Sequence, residues 1–219
     1  MVLCDVGNTF LHFFYKGGIW KEKPNALLPK KPEVCIYYIS VNKKAEQKLL
    51  ASHKNCINLA PYFEINTGYS GIGIDRIAAC AGIESGIVVD AGSAITIDIV
   101  QDNVHLGGYI LPGLQAYKDS YKNISNALNY DIDLSTNLDA LPLDTRAAIS
   151  FGCIKSIILM IGDSARGKKI VFTGGDGKFF SRYFDNSVFD DSVVFKGMQK
   201  AYENFIKQKD TCDDNNRFA

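Results

Sequence analysis

The feature that most limits the fold of this chain is a repeat. An apolar run, an aspartate, any residue, a glycine and a small polar residue occur as Val2-Leu3-Cys4-Asp5-Val6-Gly7-Asn8, leading into Thr9. The same pattern returns 85 residues later as Ile87-Val88-Val89-Asp90-Ala91-Gly92-Ser93, leading into Ala94. Self-similarity of this kind marks a duplicated structural unit. After the first copy, Thr9 to Tyr15 is aromatic and reads as a strand, Gly17-Gly18 as a turn, and Ile19 to Lys23 as a third strand. After the second, Ile95 to Val100 leaves the turn, Asp102-Asn103 reverses the chain, and Val104 to Ile110 runs into Pro112-Gly113. Each copy therefore opens a three-strand meander.

Further elements follow each meander. In the first half, Val34 to Val41 reads as a buried strand, Lys43 to Ser52 as a helix, and Cys56 to Leu59 and Tyr62 to Ile65 as short strands. Gly68 to Gly73 is too rich in glycine for regular structure, and Ile74 to Gly82 reads as a helix. In the second half, Leu114 to Ala127 and Thr145 to Ile161 read as helices, and Lys169 to Phe172 as a strand stopped by Thr173-Gly174-Gly175. Val193 to Gly197 is a short element and Met198 to Lys209 a terminal helix that crosses back over the first half. The expected organisation is α/β, with an N-terminal half over 1–84, a C-terminal half over 85–209 and a flexible polar tail over 210–219.

Composition narrows the functions open to such a chain. Hydrophobic residues make up 47% of its 219 residues, enough for a real core, and the formal net charge is zero. Neutrality gives no support to nucleic-acid or acidic-membrane binding, and the pairs Lys30-Lys31 and Lys168-Lys169 read as solvated lysines. The six cysteines form no CxxC pair and no Cys/His run at zinc spacing, which points to a reducing compartment. With no charged leader and no apolar run of about 18 residues, the expectation is a cytoplasmic protein and no membrane partner.

The two turns suggest the chemistry. A glycine two residues after an aspartate lets backbone N–H groups approach a ligand, and such amides form an anion-binding concavity. Asn8, Thr9 and Ser93 add donors suited to phosphate oxygens. The carboxylates of Asp5 and Asp90 would repel phosphate unless a cation such as Mg²⁺ or a monovalent ion lies between. Neither turn is a Walker loop or a GxGxxG site, and one Asp-x-Gly alone is an ordinary hairpin turn. Two copies, with Thr173-Gly174-Gly175 permitting close approach to a ring or ribose, favour a nucleotide gripped by both. Gly73-Ile74-Asp75-Arg76 adds a carboxylate that could accept a proton from a substrate hydroxyl and a guanidinium that could fork onto a carboxylate or phosphate. The plain alternative is an Asp75 cap with Arg76 in solvent.

Asp5 to Thr9, Gly73 to Arg76, Asp90-Ala91-Gly92-Ser93-Ala94-Ile95-Thr96, Gly107-Gly108-Tyr109-Ile110-Leu111-Pro112-Gly113 and Thr173-Gly174-Gly175 occur in the order seen in type III pantothenate kinases, which the chain resembles from residue 2 to about 200. The resemblance implies the acetate and sugar kinase/Hsp70/actin superfamily: two similar ribonuclease-H-like halves, β-meander sheets with helices, facing a nucleotide cleft. It implies transfer of the γ-phosphoryl of ATP to the 4′-hydroxyl of pantothenate, the first step to coenzyme A. On it, Asp5, Val6, Gly7, Asn8, Thr9, Phe10, Leu11 and His12 form the first phosphate loop, with Asp5 a candidate Mg²⁺ ligand. Ser93, Gly174 and Gly175 bind ATP, and Asp90 binds K⁺ or NH₄⁺. Asp75 is the general base. Gly73, Ile74, Asp75 and Arg76 line the pantothenate pocket, with Tyr69 the only aromatic of the loop Asn66 to Gly71, and Thr145 reaches pantothenate across a homodimer interface. Position 93 carries Ser where the family usually has Thr, which keeps the hydroxyl.

Two other readings use the same scaffold. A non-catalytic regulator would bind DNA without turnover, and a phosphatase would hydrolyse ATP without pantothenate. Fold alone separates none of the three.

Overall fold

The computed structural model describes residues 1–23 and 34–215, which form two compact units. Unit 1 comprises Met1–Ser85, Val100–Gly107 and the segment from Asp191 onward, and unit 2 comprises Gly86–Ile99 and Gly108–Asp190. Lys30-Lys31, residues 216–219 and the side chain of Cys212 lie outside the described residues.

In unit 1, β1 (Val2–Val6), β2 (Leu11–Tyr15) and β3 (Gly18–Glu22) form the antiparallel meander, and β4 (Ile36–Ser40) and β5 (Cys56–Asn58) add in parallel on the other side of β1. The sheet order is β3-β2-β1-β4-β5. Alternation along the strands sends Cys4, Val6, Leu11, Phe13, Ile36 and Tyr38 to one face, where they pack with Ala45 and Leu49 of α1 (Lys43–Ser52). Each such large apolar side chain taken from water contributes about 1.5–3 kcal/mol. Helix α1 starts where it does because the Asn42 carboxamide oxygen accepts from the N–H groups of Lys44 and Ala45.

Aromatic side chains cover the opposite face with α6 (Val193–Asn215). Phe14 stacks on Phe195 at 5.3 Å, Tyr37 meets Tyr202 edge-on at 4.6 Å, and Tyr62 meets Phe205 edge-on at 5.0 Å. Helix α6 also crosses α2 (Ile74–Ala81) at backbone contact. A Cβ on Gly197 would strike the Ala78 carbonyl, and one on Gly82 would strike the Val193 carbonyl. This crossing fixes α2, whose first turn carries Asp75 and Arg76.

The second sheet has the order β11-β10-β7-β8-β9-β6, from β6 (Asn66–Thr67), β7 (Gly86–Ala91), β8 (Ala94–Gln101), β9 (Val104–Pro112), β10 (Ile170–Thr173) and β11 (Ser187–Phe189). Apart from β6, this is the unit 1 order again: meander strands three, two, one, then two further strands parallel to the first. The duplicated sequence pattern is thus a duplicated ribonuclease-H-like sheet. The core of unit 2 gathers Ile87, Val89, Ile95, Ile97 and Phe172 from the strands, Leu114 from α3 (Leu114–Ile124), and Ile154, Ile157 and Ile161 from α4 (Thr145–Ala165). Phe180 of α5 (Gly177–Phe180) completes it.

Several elements differ from expectation. Pro61 starts a 3₁₀ turn at Ala60–Tyr62 instead of a strand at Tyr62, and the following strand is only Asn66–Thr67. The β-branched Val193 and Val194, which imitate a strand, are buried in the first turn of α6, and that helix runs on to Asn215. Neither β11 nor α5 was anticipated. Among the described residues α4 is, by length and composition, apolar enough to cross a membrane, contrary to the sequence expectation. Its stripe Ile149, Cys153, Ile154, Ile157 and Ile161 is instead buried within unit 2, as in the core helix of a globular fold.

Candidate active site

The β1–β2 turn of unit 1 spans 7–10 and closes with the Gly7 N–H donating to the Phe10 carbonyl at 3.1 Å. Val6 and Leu11 on its two sides are buried, while Asn8 and Thr9 at its tip are exposed. Asp5 pairs in register with His12, whose Nδ1 lies 3.7 Å from Asp5 Oδ2. Asp5 Oδ1 is buried with no hydrogen-bond partner, the only such side-chain atom among the described residues. A buried carboxylate oxygen without a donor is costly unless a cation meets it.

Asp75 and Arg76 follow Gly73 at the start of α2. A Cβ on Gly73 would come within 2.5 Å of Asp75 Oδ1, so glycine leaves the carboxylate its place. Asp75 Oδ1 accepts from the Arg76 N–H at 2.8 Å. Burial pushes the Asp75 carboxyl above the usual carboxylate range and the Asp5 charge adds to this, against the opposing pull of the Arg76 N–H. Asp75 is therefore a stronger proton acceptor than a surface aspartate. Arg76 is not in solvent, as the plain alternative required, but 6% exposed. Its Cζ lies 4.9 Å over the Tyr69 ring, and its Nη1 donates to the Tyr69 hydroxyl at 3.4 Å. The loop aromatic and the GIDR arginine, seven positions apart in sequence, form one wall.

In unit 2 the β7–β8 turn is tighter, spanning 92–93, with the Gly92 N–H donating to the Ala94 carbonyl at 3.0 Å. Two glycines pack on it. A Cβ on Gly113 would strike the carbonyls of Gly92 and Ser93, and one on Gly174 would strike Asp90 Oδ1. Gly174 has φ +82°, a conformation open to glycine and strained for other residues. Parallel pairing of β7 and β10 sets Thr173 opposite Asp90, and the Asp176 N–H donates to the Ala91 carbonyl at 2.9 Å. Gly174 thus spends its freedom on approaching the Asp90 turn, whereas a Cβ on Gly175 would meet open space. The Asp90 carboxylate and the turn carbonyls are hard oxygen donors, the class that alkali and alkaline-earth cations take.

A family model described as type III pantothenate kinase matches residues 25–166. A Helicobacter hepaticus protein named type III pantothenate kinase is 57% identical over 206 residues, covering 94% of this chain and 100% of the relative. A Wolinella succinogenes protein of the same name is 49% identical, covering 95% and 100%. The chain belongs to the type III pantothenate kinase family. Among solved structures, a Campylobacter jejuni protein assigned to the Baf family of transcriptional activators aligns with TM-score 0.84 and 45% identity, over 94% of this chain and 100% of its own.

Against that family background, the structure gathers the expected residues in two groups. Asp5 to His12, Tyr69 and Gly73 to Arg76 lie in unit 1, and Asp90, Ser93, Gly174 and Gly175 lie in unit 2. Thr145, also in unit 2, is exposed in the first turn of α4, where Asp144 accepts from the Ala147 N–H. Beside it is a surface hollow of about 320 Å³ that Asp133, Asn137, Leu141 and Arg146 help to line. Sequence reasoning missed Asp176, whose carboxyl burial pushes up, although it directly follows Gly174-Gly175. It also missed Thr67 and His105, which stand behind Tyr69. His105 precedes Gly107-Gly108 by two residues, and that was the available signal.

Proposed function

We infer that this chain transfers the γ-phosphoryl of ATP to the 4′-hydroxyl of pantothenate, the first step to coenzyme A. The observation that carries this reading is the pair at the start of α2: a carboxylate of raised proton affinity beside a buried guanidinium roofed by an aromatic ring. It suits an acceptor that has both a hydroxyl to activate and an anionic group to anchor. Pantothenate has a primary hydroxyl at one end and a carboxylate at the other.

In this reading Asp75 takes the proton of the acceptor hydroxyl as its oxygen bonds to the γ-phosphorus. The bond from that phosphorus to the β–γ bridging oxygen breaks, and ADP leaves with the electron pair. Arg76 and Tyr69 hold the acceptor. The amides of the Asp5 to His12 turn and the Ser93 hydroxyl receive phosphate oxygens, Gly174 seats the Asp90 turn against β10, and Gly175 leaves room for the nucleoside. Asp5 would hold the divalent metal that accompanies ATP, and Asp90 a monovalent cation, K⁺ or NH₄⁺. Those cations would neutralise phosphate charge.

The finer features are part of the same proposal. Leu141, Leu143, Leu159 and Met160 of unit 2 are exposed apolar side chains on and just before α4, and they suit a homodimer seam that would bring Thr145 to the partner's acceptor pocket. The protein works in the cytoplasm. The regulator and phosphatase readings are not favoured, since the curated relatives carry the kinase name and the net charge of zero offers no electrostatic footprint for DNA.

The test is a coupled assay for ADP with pantothenate, run with and without K⁺. Phosphopantothenate formation that rises with K⁺ is expected, and no product under either condition would sink the reading.

A further inference from the structure

We propose that Thr67 and His105 are positioning residues for the acceptor pocket, setting Tyr69 against Arg76 through the Thr67 hydroxyl. The inference rests on the reading that Tyr69 and Arg76 receive pantothenate.

Thr67 lies at the edge of the second sheet. Strand β6 is only two residues long, and its parallel register sets Thr67 opposite His105 on β9. Thr67 Oγ1 lies 2.7 Å from His105 Nδ1, and the same oxygen accepts the Tyr69 N–H at 3.0 Å. One hydroxyl thus joins a buried ring, 2% exposed, to the backbone of the residue that roofs Arg76. The His105 ring centre lies 5.9 Å from that of Tyr69, and Arg76 Cζ lies 4.9 Å from the latter.

Tyr69 needs such a pin. It is 36% exposed and sits between Gly68 and Gly71, the latter at φ +74°, in a segment with little intrinsic stiffness. Without the Thr67 hydroxyl the loop keeps its two-residue strand but loses the bond that fixes the Tyr69 backbone. The ring would then leave the guanidinium in some of the population, and an acceptor would bind only to the remaining fraction. The cost should fall on acceptor binding, with ATP binding and the chemical step intact once pantothenate is seated.

The experiment compares Thr67→Val, which keeps the shape and removes the hydroxyl, with Thr67→Ser, which restores it. For Thr67→Val the expected result is a pantothenate KM raised about three- to tenfold, the scale of one net hydrogen bond. ATP KM should be unchanged and kcat within about twofold. Thr67→Ser should return pantothenate KM toward wild type, and His105→Gln should move it in the direction of Thr67→Val. An unchanged pantothenate KM in Thr67→Val overturns the proposal. So does a parallel loss in kcat, both KM values and melting temperature, which general damage to the fold would give. Wild-type protein that forms no phosphopantothenate would defeat the functional reading itself, and this inference with it. Normal wild-type turnover with an indifferent Thr67→Val would defeat only the inference.

Discussion

Asp5 and Asp75 are near enough within unit 1 for the charge on Asp5 to raise the proton affinity of Asp75, adding to the larger effect of burial. The first comes from the repeated turn and the second from the GIDR segment, so the fold joins two motifs that sequence alone could only list in order. The pairing serves a base: a carboxylate held above its ordinary range accepts a hydroxyl proton more readily.

Replacing that base should therefore have a specific kinetic signature. Asp75→Asn should lower kcat by about 10²–10⁴-fold, the usual worth of a positioned general base. In the wild type, the acid limb of kcat/KM should lie above the ordinary carboxylate range because the Asp75 carboxyl is raised. Asp5→Asn should move the limb of its residual activity to lower pH, since it removes one of the two raising influences. A pH profile across the acid range checks both. Full activity in Asp75→Asn would remove Asp75 from the role.

The same shift predicts a stability change of definite sign. A carboxyl whose folded pKa is raised binds more protons when folded than when unfolded. Its contribution to stability therefore falls as pH rises from the ordinary carboxylate value through the raised one, and stays low above it. Asp75→Asn removes the penalty and keeps an oxygen to accept the Arg76 N–H. The variant should melt at a higher temperature than wild type at neutral pH, and the gap should narrow below the window. Melting curves at the two pH values test this, and a lower melting temperature for Asp75→Asn at neutral pH would contradict it.

Arg76 and Tyr69 make a separable prediction about the acceptor. Arg76→Lys keeps the charge but loses the planar fork and most of the contact with the ring. Pantothenate KM should rise about 10–100-fold with ATP KM little changed. Tyr69→Phe, which keeps the ring, should have a smaller effect than Tyr69→Ala. Steady-state kinetics with each substrate varied in turn distinguishes these outcomes from general loss of activity.

Much of this arrangement was legible in the sequence, for physical reasons. The repeat was visible because apolar strand, aspartate and glycine must recur where two sheets build the same turn, and the strand orders β3-β2-β1-β4-β5 and β11-β10-β7-β8-β9 bear it out. The turns themselves were less legible: the first spans 7–10 and the second 92–93, though their opening residues match. Strand pairing across distance was not legible at all. Nothing local in Asn66-Thr67 announces a strand, because two residues carry no periodicity, and only the pairing with Val104 and His105 defines it. The burial of Arg76 was hidden for the same reason, since an arginine beside an aspartate at a helix start looks solvated until an aromatic ring from another loop covers it.

The crossing of α2 and α6 gives the most demanding prediction, because it lies away from the reacting groups. Gly197 has no room for a side chain: a Cβ there would strike the carbonyl of Ala78, which is backbone and cannot swing aside. Gly197→Ala must therefore push α6 and α2 apart, and overpacking of this kind costs about 1–3 kcal/mol. The melting temperature should fall. Since Asp75 stands one turn before Ala78 on the same short helix, kcat should fall as well, because small misplacements of a catalytic group are expensive. Gly175→Ala in unit 2, where a Cβ meets open space, is the matched control and should leave the melting temperature within about 0.5 kcal/mol equivalent of wild type. If Gly197→Ala melts and turns over like wild type, the helix crossing does not hold the base in place.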